Sequence, residues 1–165
     1  MKKDKITVPL KLITDAIDMK MDEWNQYLDI ETMEVVSLPE DLYDEEDREM
    51  AELIDEGWNT RFFALPSKYD IHEYSIMESF IWSLPEGQMQ NYLQNAIRGR
   101  GAFRRFKDEI LRYGVEQSWY AYREEAYRKI AREWCEDHGF LYEEDRKPAA
   151  ENTSVSSVDG RDPLS

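Results

Sequence analysis

The chain lacks the features that mark secreted and membrane-spanning proteins. It contains a single cysteine, Cys135, so no disulfide can form within it. No apolar run approaches the ~18 residues that a membrane-spanning helix needs. The basic start at residues 1–5 is followed by neither an apolar signal core nor a small-residue cleavage site. We therefore expect a cytoplasmic protein without a membrane partner.

Motifs for catalysis and cofactor binding are also missing. The sequence has no serine-centred nucleophile elbow, no zinc-ligand spacing and no glycine loop followed by Lys and Ser/Thr. Asp70, His72 and Glu73 lie close together, but a capping box at a helix start explains both carboxylates. Cys135 and His138 lie near a helix end, where the dipole disfavours a thiolate. We expect no catalytic residue, cofactor or metal.

What the chain does contain is enough apolar surface to fold. Hydrophobic residues make up 41% of its 165 residues, aromatic residues 13% and charged residues 35%. This apolar fraction is too high for a disordered chain, and a chain of this length buries roughly two-thirds of its unfolded surface. We predict one domain over residues 1–146. Residues 147–165 are polar and rich in Ser, Pro and Ala, and we predict a disordered tail.

The charge is strongly negative and unevenly distributed. The net charge is −15, and residues 1–60 alone contribute −12. Residues 98–132 are net positive, with ten Lys/Arg against five Asp/Glu. Either the acidic and basic parts neutralise each other within the fold, or the basic part is an exposed face for an anionic partner.

Periodicity along the chain predicts an α+β domain. The segment 24–38 alternates, with Trp24, Gln26 and Leu28 on one face, which predicts a β-hairpin. The aromatic run 61–66 predicts a third strand, and 140–142 a short extended segment. Apolar residues at helical spacing predict six helices, at 9–19, 41–56, 70–84, 88–98, 102–113 and 116–137. We therefore expect a small antiparallel sheet (the hairpin plus one further strand) packed with a mainly helical C-terminal half.

Four segments carry a resemblance to a known family. They are residues 27–32, residues 61–66 followed by 70–84, the run GRGAFRRFKD at 99–108, and WYAYR at 119–123. In this order the chain resembles a widespread bacterial family of small proteins with no assigned function. The resemblance therefore implies no activity. Met33 stands where such sequences carry glycine, in a hairpin turn that requires a positive φ.

The segment 99–108 is the strongest candidate for a binding site. Glycines precede a predicted helix start, whose free N–H groups and neighbouring cations favour an anion, such as a phosphate, a nucleic-acid backbone or a partner's carboxylate. In the alternative interpretation Phe103 and Phe106 belong to the core, and the arginines pair with acids elsewhere in the chain. The candidate contacts in this segment are Arg100, Gly101, Arg104, Arg105 and Lys107.

The aromatic segment 119–123 supplies two further candidates. Tyr120 would stack on unpaired bases while Arg123 contacts phosphate. Aromatic residues at helical spacing more often form the core, and Trp119 and Tyr122 fall on the inner stripe of the predicted helix. Tyr120 and Tyr127, seven residues apart, would border a second groove.

Three functions remain open from the sequence. The first is a non-enzymatic cytoplasmic binding or regulatory module that contacts an anionic ligand, nucleic acid or acidic protein through residues 98–132. The second is a protein–protein adaptor or inhibitor that uses the acidic surface of 41–56. The third is a hydrolase acting on a phosphorylated substrate that the arginines bind.

Overall fold

Two small sheets and seven helices make up residues 5–144, the part of the chain that the computed structural model describes. The α+β class predicted from the sequence is confirmed, with most helices in the C-terminal half. The predicted disordered tail at 147–165 lies outside these residues. The single-domain boundary at residue 146 stays a prediction.

The strands form one antiparallel and one parallel sheet. The predicted hairpin consists of β2 and β3, and the predicted third strand, β4, pairs with β2 to give the order β3-β2-β4. The sequence did not predict the parallel pair, in which β1 lies beside β5 and joins the two ends of the described chain. The strands are β1 Thr7–Pro9, β2 Trp24–Asp29, β3 Glu34–Pro39, β4 Phe62–Ala64 and β5 Leu141–Glu143.

The helices follow the predicted order with one correction at the fourth. Six helices were predicted, and the short α3 is additional. They are α1 Leu10–Asp18, α2 Glu45–Glu56, α3 Lys68–Ile71, α4 Glu73–Ser83, α5 Gln88–Ala96, α6 Ala102–Tyr113 and α7 Glu116–His138. No helix within residues 5–144 is both long enough and apolar enough to cross a bilayer.

The capping box lies three residues earlier than predicted. Ser67 caps α3 and Asp70 returns the bond to the backbone of Ser67, so Asp70 is not the cap of a box with Glu73. Between α3 and α4 the chain turns at His72, which has a left-handed backbone with φ of 54°. This break frees the Glu73 carboxylate for a contact with α7.

The hairpin turn is held by a buried carboxylate. Oδ1 of Asp29 accepts hydrogen bonds from the backbone N–H of Glu31 at 2.9 Å and of Thr32 at 3.4 Å. Arg61 donates to both oxygens of Asp29, from Nε at 3.0 Å and from Nη2 at 2.8 Å. Met33 has φ of 58°, as the resemblance requires of this position.

Helix α7 runs along the core. Its buried side chains are Trp119, Tyr127, Ala131, Trp134 and Cys135. The predicted inner residues Trp119 and Tyr122 both face the core: Trp119 is buried, and Tyr122, like Ala126 and Ile130, is half-buried and packed against it. On α6 the alternative interpretation is right for Phe106, which is fully buried, and wrong for Phe103, which is 52% exposed.

Candidate functional site

The turn between α5 and α6 shapes the predicted anion site. Gly101 precedes α6 with φ of 72°, in the left-handed region that glycine adopts without strain. A Cβ at this position would lie 3.0 Å from Nη1 of Arg105. Among the described residues, no side chain caps α6, so the N–H groups of its first turn meet no side-chain acceptor from that part of the chain. These groups and the positive end of the helix dipole favour an anion.

Arg105 makes an internal contact at this turn. Its Nε donates to the carbonyl of Ala96 at 2.8 Å, and its Nη2 donates to the carbonyl of Arg98. Both carbonyls lie at the carboxyl end of α5, where the helix has no backbone donors of its own to offer. Of the five cations between residues 98 and 107, Arg105 is therefore the one whose hydrogen-bonding capacity is largely used within the fold.

The other four cations of this segment are unpaired within residues 5–144. Each is exposed, and none forms an ion pair or a side-chain hydrogen bond with the described part of the chain. The exposed ring of Phe103 lies among them on α6. We call this set the α6 basic surface; it consists of Arg98, Arg100, Phe103, Arg104 and Lys107.

The arginines of α7, by contrast, are neutralised. Arg128 pairs with Glu124 and Glu125, and Arg132 pairs with Glu125 at 2.9 Å and Glu144 at 3.3 Å. The internal neutralisation that the sequence suggested for the basic segment 98–132 therefore holds for these arginines of α7. The four exposed cations near the start of α6 have no acidic partner within residues 5–144, and an anionic partner for them stays a prediction.

Arg123 belongs to a partly exposed network that joins three helices. Its Nη2 donates to Oδ1 of Asp18 at 2.6 Å, and its Nε donates to the hydroxyl of Tyr127 at 2.8 Å. That hydroxyl in turn donates to the carboxylate of Glu73. Burial, together with this hydrogen bond to Glu73, raises the pKa of Tyr127 well above its ordinary value. The network links α1, α4 and α7.

Tyr120 lies beside this network and not among the unpaired cations. It is 44% exposed and borders a hollow of about 200 Å³ between α1 and α7. As predicted, Tyr127 borders the same hollow, but so do three carboxylates. The lining consists of Thr14, Asp15, Asp18, Tyr120, Arg123, Glu124 and Tyr127. The acidic side chains make this hollow a poor anion site.

A larger groove connects Arg123 to the start of α6. It has a volume of about 580 Å³, and its lining includes Phe103, Arg123 and the highly exposed ring of Tyr69. Lys20 and Lys68 also line it, opposite Asp18 and Glu73. The structure thus brings Phe103 and Arg123 to one groove, next to the α6 basic surface.

The two clusters considered for catalysis are explained by structural contacts. Nδ1 of His72 lies 2.9 Å from the hydroxyl oxygen of Ser75, while the carboxylate of Asp70 accepts from the backbone N–H of Ser67 in the capping box of α3. Cys135 is fully buried, and burial, with a smaller effect of Glu136, raises its pKa to about 11. Nδ1 of His138 contacts the carbonyl of Trp134 at 2.9 Å. Within residues 5–144 no three His, Cys, Asp or Glu side chains are grouped to hold a metal.

Sequence reasoning missed the long-range pairs and one further groove. The partners Asp29 and Arg61 are 32 residues apart, and Asp18 and Arg123 are 105 apart, so no local pattern reveals either pair. A second groove, between the sheet and the end of α7, includes Gln26. Its one signal in the sequence was a polar residue on the same face of the strand as Leu28.

Comparisons with known proteins identify the family of the chain. A model of the family described as Uncharacterised protein family (UPF0158) matches residues 4–154. The UPF0158 protein PA5073 of Pseudomonas aeruginosa is 32% identical over 82 residues, which are 49% of this chain and 50% of that protein. The chain therefore matches about half the length of this curated relative. No solved structure matches it. The predicted resemblance to an uncharacterised bacterial family is confirmed, and the chain belongs to the UPF0158 family.

Proposed function

We propose that this protein is a non-enzymatic cytoplasmic binding module that contacts an anionic partner through the α6 basic surface. One observation carries the proposal. Arg98, Arg100, Arg104 and Lys107 have no acidic partner within residues 5–144, although the chain holds 36 Asp/Glu against 21 Lys/Arg. A cytoplasmic location agrees with the buried free thiol of Cys135.

The spacing of the cations suits one extended ligand. Arg104 and Lys107 are three residues apart on the exposed face of α6, and Arg100 lies in the turn that precedes the helix. Side chains three residues apart lie on the same side of a helix. The uncapped start of α6 adds N–H donors at one end of this row.

A single-stranded nucleic acid is the partner that this surface fits best. A guanidinium group can donate two hydrogen bonds to the oxygens of one phosphate, and an exposed aromatic ring can stack on an unpaired base. Phe103 supplies the ring, and Arg100 and Arg104 supply the guanidinium groups. Since the net charge of −15 repels a polyanion as a whole, we expect weak binding that falls steeply with salt.

The test is fluorescence polarisation of a labelled, ~20-nucleotide single strand between about 50 and 200 mM salt. Arg104→Gln and Lys107→Gln should each weaken binding and reduce the slope of log K against log[salt] by about one. Arg112→Gln is the matched control, because Arg112 is exposed on the same helix but paired with Glu109 at 3.5 Å. It should leave the slope unchanged. Equal binding by all three variants, or no binding at low salt, would overturn the proposal.

An acidic surface on α2 supports a second candidate, an adaptor or inhibitor. Six carboxylates of this helix are exposed, and of these only Glu45 pairs with a cation, Arg48, within residues 5–144. Tyr43, immediately before α2, is also highly exposed. If this surface imitates phosphate charge, the protein should compete with nucleic acid for a common target. The structure does not favour the hydrolase alternative, because Asp70, His72 and Glu73 contact different partners.

A further inference from the structure

A groove near the C-terminal end of α7 has a different chemical character. It lies between strands β2 and β4 and the C-terminal half of α7, and its volume is about 650 Å³. Pockets of this size hold small ligands or a single large side chain. The residues that matter for its chemistry are Gln26, Tyr27, Trp58, Glu133, Trp134 and Asp137.

The groove is negatively charged. Glu133 and Asp137 are one helical turn apart near the end of α7, and neither has an ion-pair partner within residues 5–144. The carboxyl end of a helix adds a further negative potential. Lys20 also lines the groove and keeps its positive charge while its ammonium donates to the backbone carbonyls of Met21 and Trp24, but the carboxylates of Asp70, Glu133 and Asp137 outnumber it. The carboxylates therefore determine which charge the groove accepts.

A buried amide in this groove lacks a partner. Gln26 is only 8% exposed, and its Oε1 is fully buried and accepts no hydrogen bond from any residue between 5 and 144. The backbone of Gln26 is satisfied, since its carbonyl accepts from the N–H of Leu65 at 2.9 Å. Leaving a buried amide oxygen unpaired costs on the order of 1–3 kcal/mol, so such a group calls for a donor.

Aromatic rings complete the walls. Trp58 is 47% exposed and meets Tyr27 edge to face, with ring centroids 6.1 Å apart. The indole of Trp134 is held in place because its Nε1 donates to the carbonyl of Ala64 at 2.8 Å. Indole and phenol faces attract cations, and they attract planar guanidinium groups most often.

We propose that this groove binds a guanidinium group of the arginine type. A guanidinium offers five N–H donors in one plane, which match the carboxylates of Glu133 and Asp137 and the unpartnered amide of Gln26. One of its faces stacks on the exposed ring of Trp58, beside the edge of the buried Trp134. This site is independent of the α6 basic surface, since the two have opposite charge and share no residue.

The experiment is a titration followed by the indole N–H signals of the protein in heteronuclear NMR. The probes are a capped arginine amide, its neutral isostere, capped citrulline amide, and agmatine. We expect the arginine probe to shift the signals of Trp58 and Trp134, and the citrulline probe to leave them unchanged. If the capped arginine binds more tightly than agmatine, the natural ligand is an arginine side chain of a peptide. If the two bind comparably, the natural ligand is a free guanidinium compound.

Variants separate binding from folding. Glu133→Gln and Asp137→Asn should each lower the affinity for the arginine probe roughly two- to fivefold. Glu136→Gln, on the same helix but outside the groove, should have no effect. Gln26→Leu should raise the melting temperature by removing an unpaired amide and yet weaken binding, whereas a purely structural glutamine would change stability alone.

Two results would overturn the proposal. One is an arginine probe that leaves both groove indoles unshifted in the wild-type protein. The other is an equal loss of affinity in Glu136→Gln and Glu133→Gln, because the interaction would then reflect the overall negative charge. Since Arg104→Gln lies outside this groove, arginine binding should persist in that variant even if the nucleic-acid proposal fails.

Discussion

The guanidinium of Arg105 caps the carboxyl end of α5, with its Nε donating to the carbonyl of Ala96 at 2.8 Å. Its neighbour in sequence, Arg104, has no such contact within residues 5–144. The two side chains are one residue apart on α6, which rotates them by about 100° relative to each other. Two adjacent arginines therefore have different roles, one in holding the fold and one in the proposed surface.

The first prediction separates these two roles. Arg105→Ala should lower the free energy of unfolding by about 1 kcal/mol, because two carbonyls lose a charged donor. Arg104→Ala should change it by less than ~0.5 kcal/mol, as is usual for an exposed side chain without partners. Urea denaturation of both variants measures the difference. The assignment of Arg105 as a cap fails if the two variants are equally stable.

The second prediction concerns the acid sensitivity of the hairpin. The hydrogen bonds from Arg61, and then those from the N–H groups of Glu31 and Thr32, hold the pKa of Asp29 at about 2, against the opposing effect of burial. Because this pKa is lower in the folded state than the ~3.9 of an unfolded chain, the stabilisation is present above pH ~4. It is lost as the pH falls from about 4 towards 2.

Asp29→Asn should therefore lower the free energy of unfolding at neutral pH by about 2 kcal/mol. Between pH 4 and 2 the variant should lose less of its remaining stability than the wild type. Urea midpoints across this pH range provide the measurement. Asp22→Asn is the control, since Asp22 is exposed and has no ion pair within the described residues. Parallel pH profiles for the wild type and Asp29→Asn would show that this carboxylate does not stabilise the hairpin.

The third prediction is that the Cys135 thiol is unreactive in the folded protein. Burial raises its pKa to about 11, so little thiolate forms near pH 8. The side chain is also fully buried, so a reagent in solution does not reach the sulfur. A disulfide reagent such as dithionitrobenzoate should label the native protein slowly and the urea-unfolded protein at once. Rapid labelling of the native protein would mean that α7 opens locally or that the thiol is accessible.

Much of the fold was predictable because its signals are local. The predicted range 102–113 coincides with α6 Ala102–Tyr113, since glycines flank a clear apolar stripe. The hairpin was predictable because side chains alternate between two faces along residues 24–38. The extended segment predicted at 140–142 overlaps strand β5. The start of α4 was placed wrongly because Asp70 fits a capping box from either side, and the sequence spacing does not show that Ser67 is its partner.

The candidate site was only partly predictable, for a physical reason. The seven candidate residues were chosen by type and position, and the structure divides them by their partners. Arg105 and Arg123 are used within the fold, Tyr120 borders an acidic hollow, and the remaining cations are unpaired within the described residues. Whether a given arginine is paired depends on which distant acid the packing brings near it.

The sequence by itself determined the class of fold, the membership of an uncharacterised family and the concentration of positive charge in 98–132. These follow from hydrophobic period, turn residues and composition, which act over a few neighbouring residues. Only the tertiary structure decided that Asp18 neutralises Arg123, that Arg105 caps α5 and that Gln26 lies unpartnered in an acidic groove. Each of these depends on contacts between segments far apart in the chain, and the packing of α7 against the rest of the fold sets those contacts.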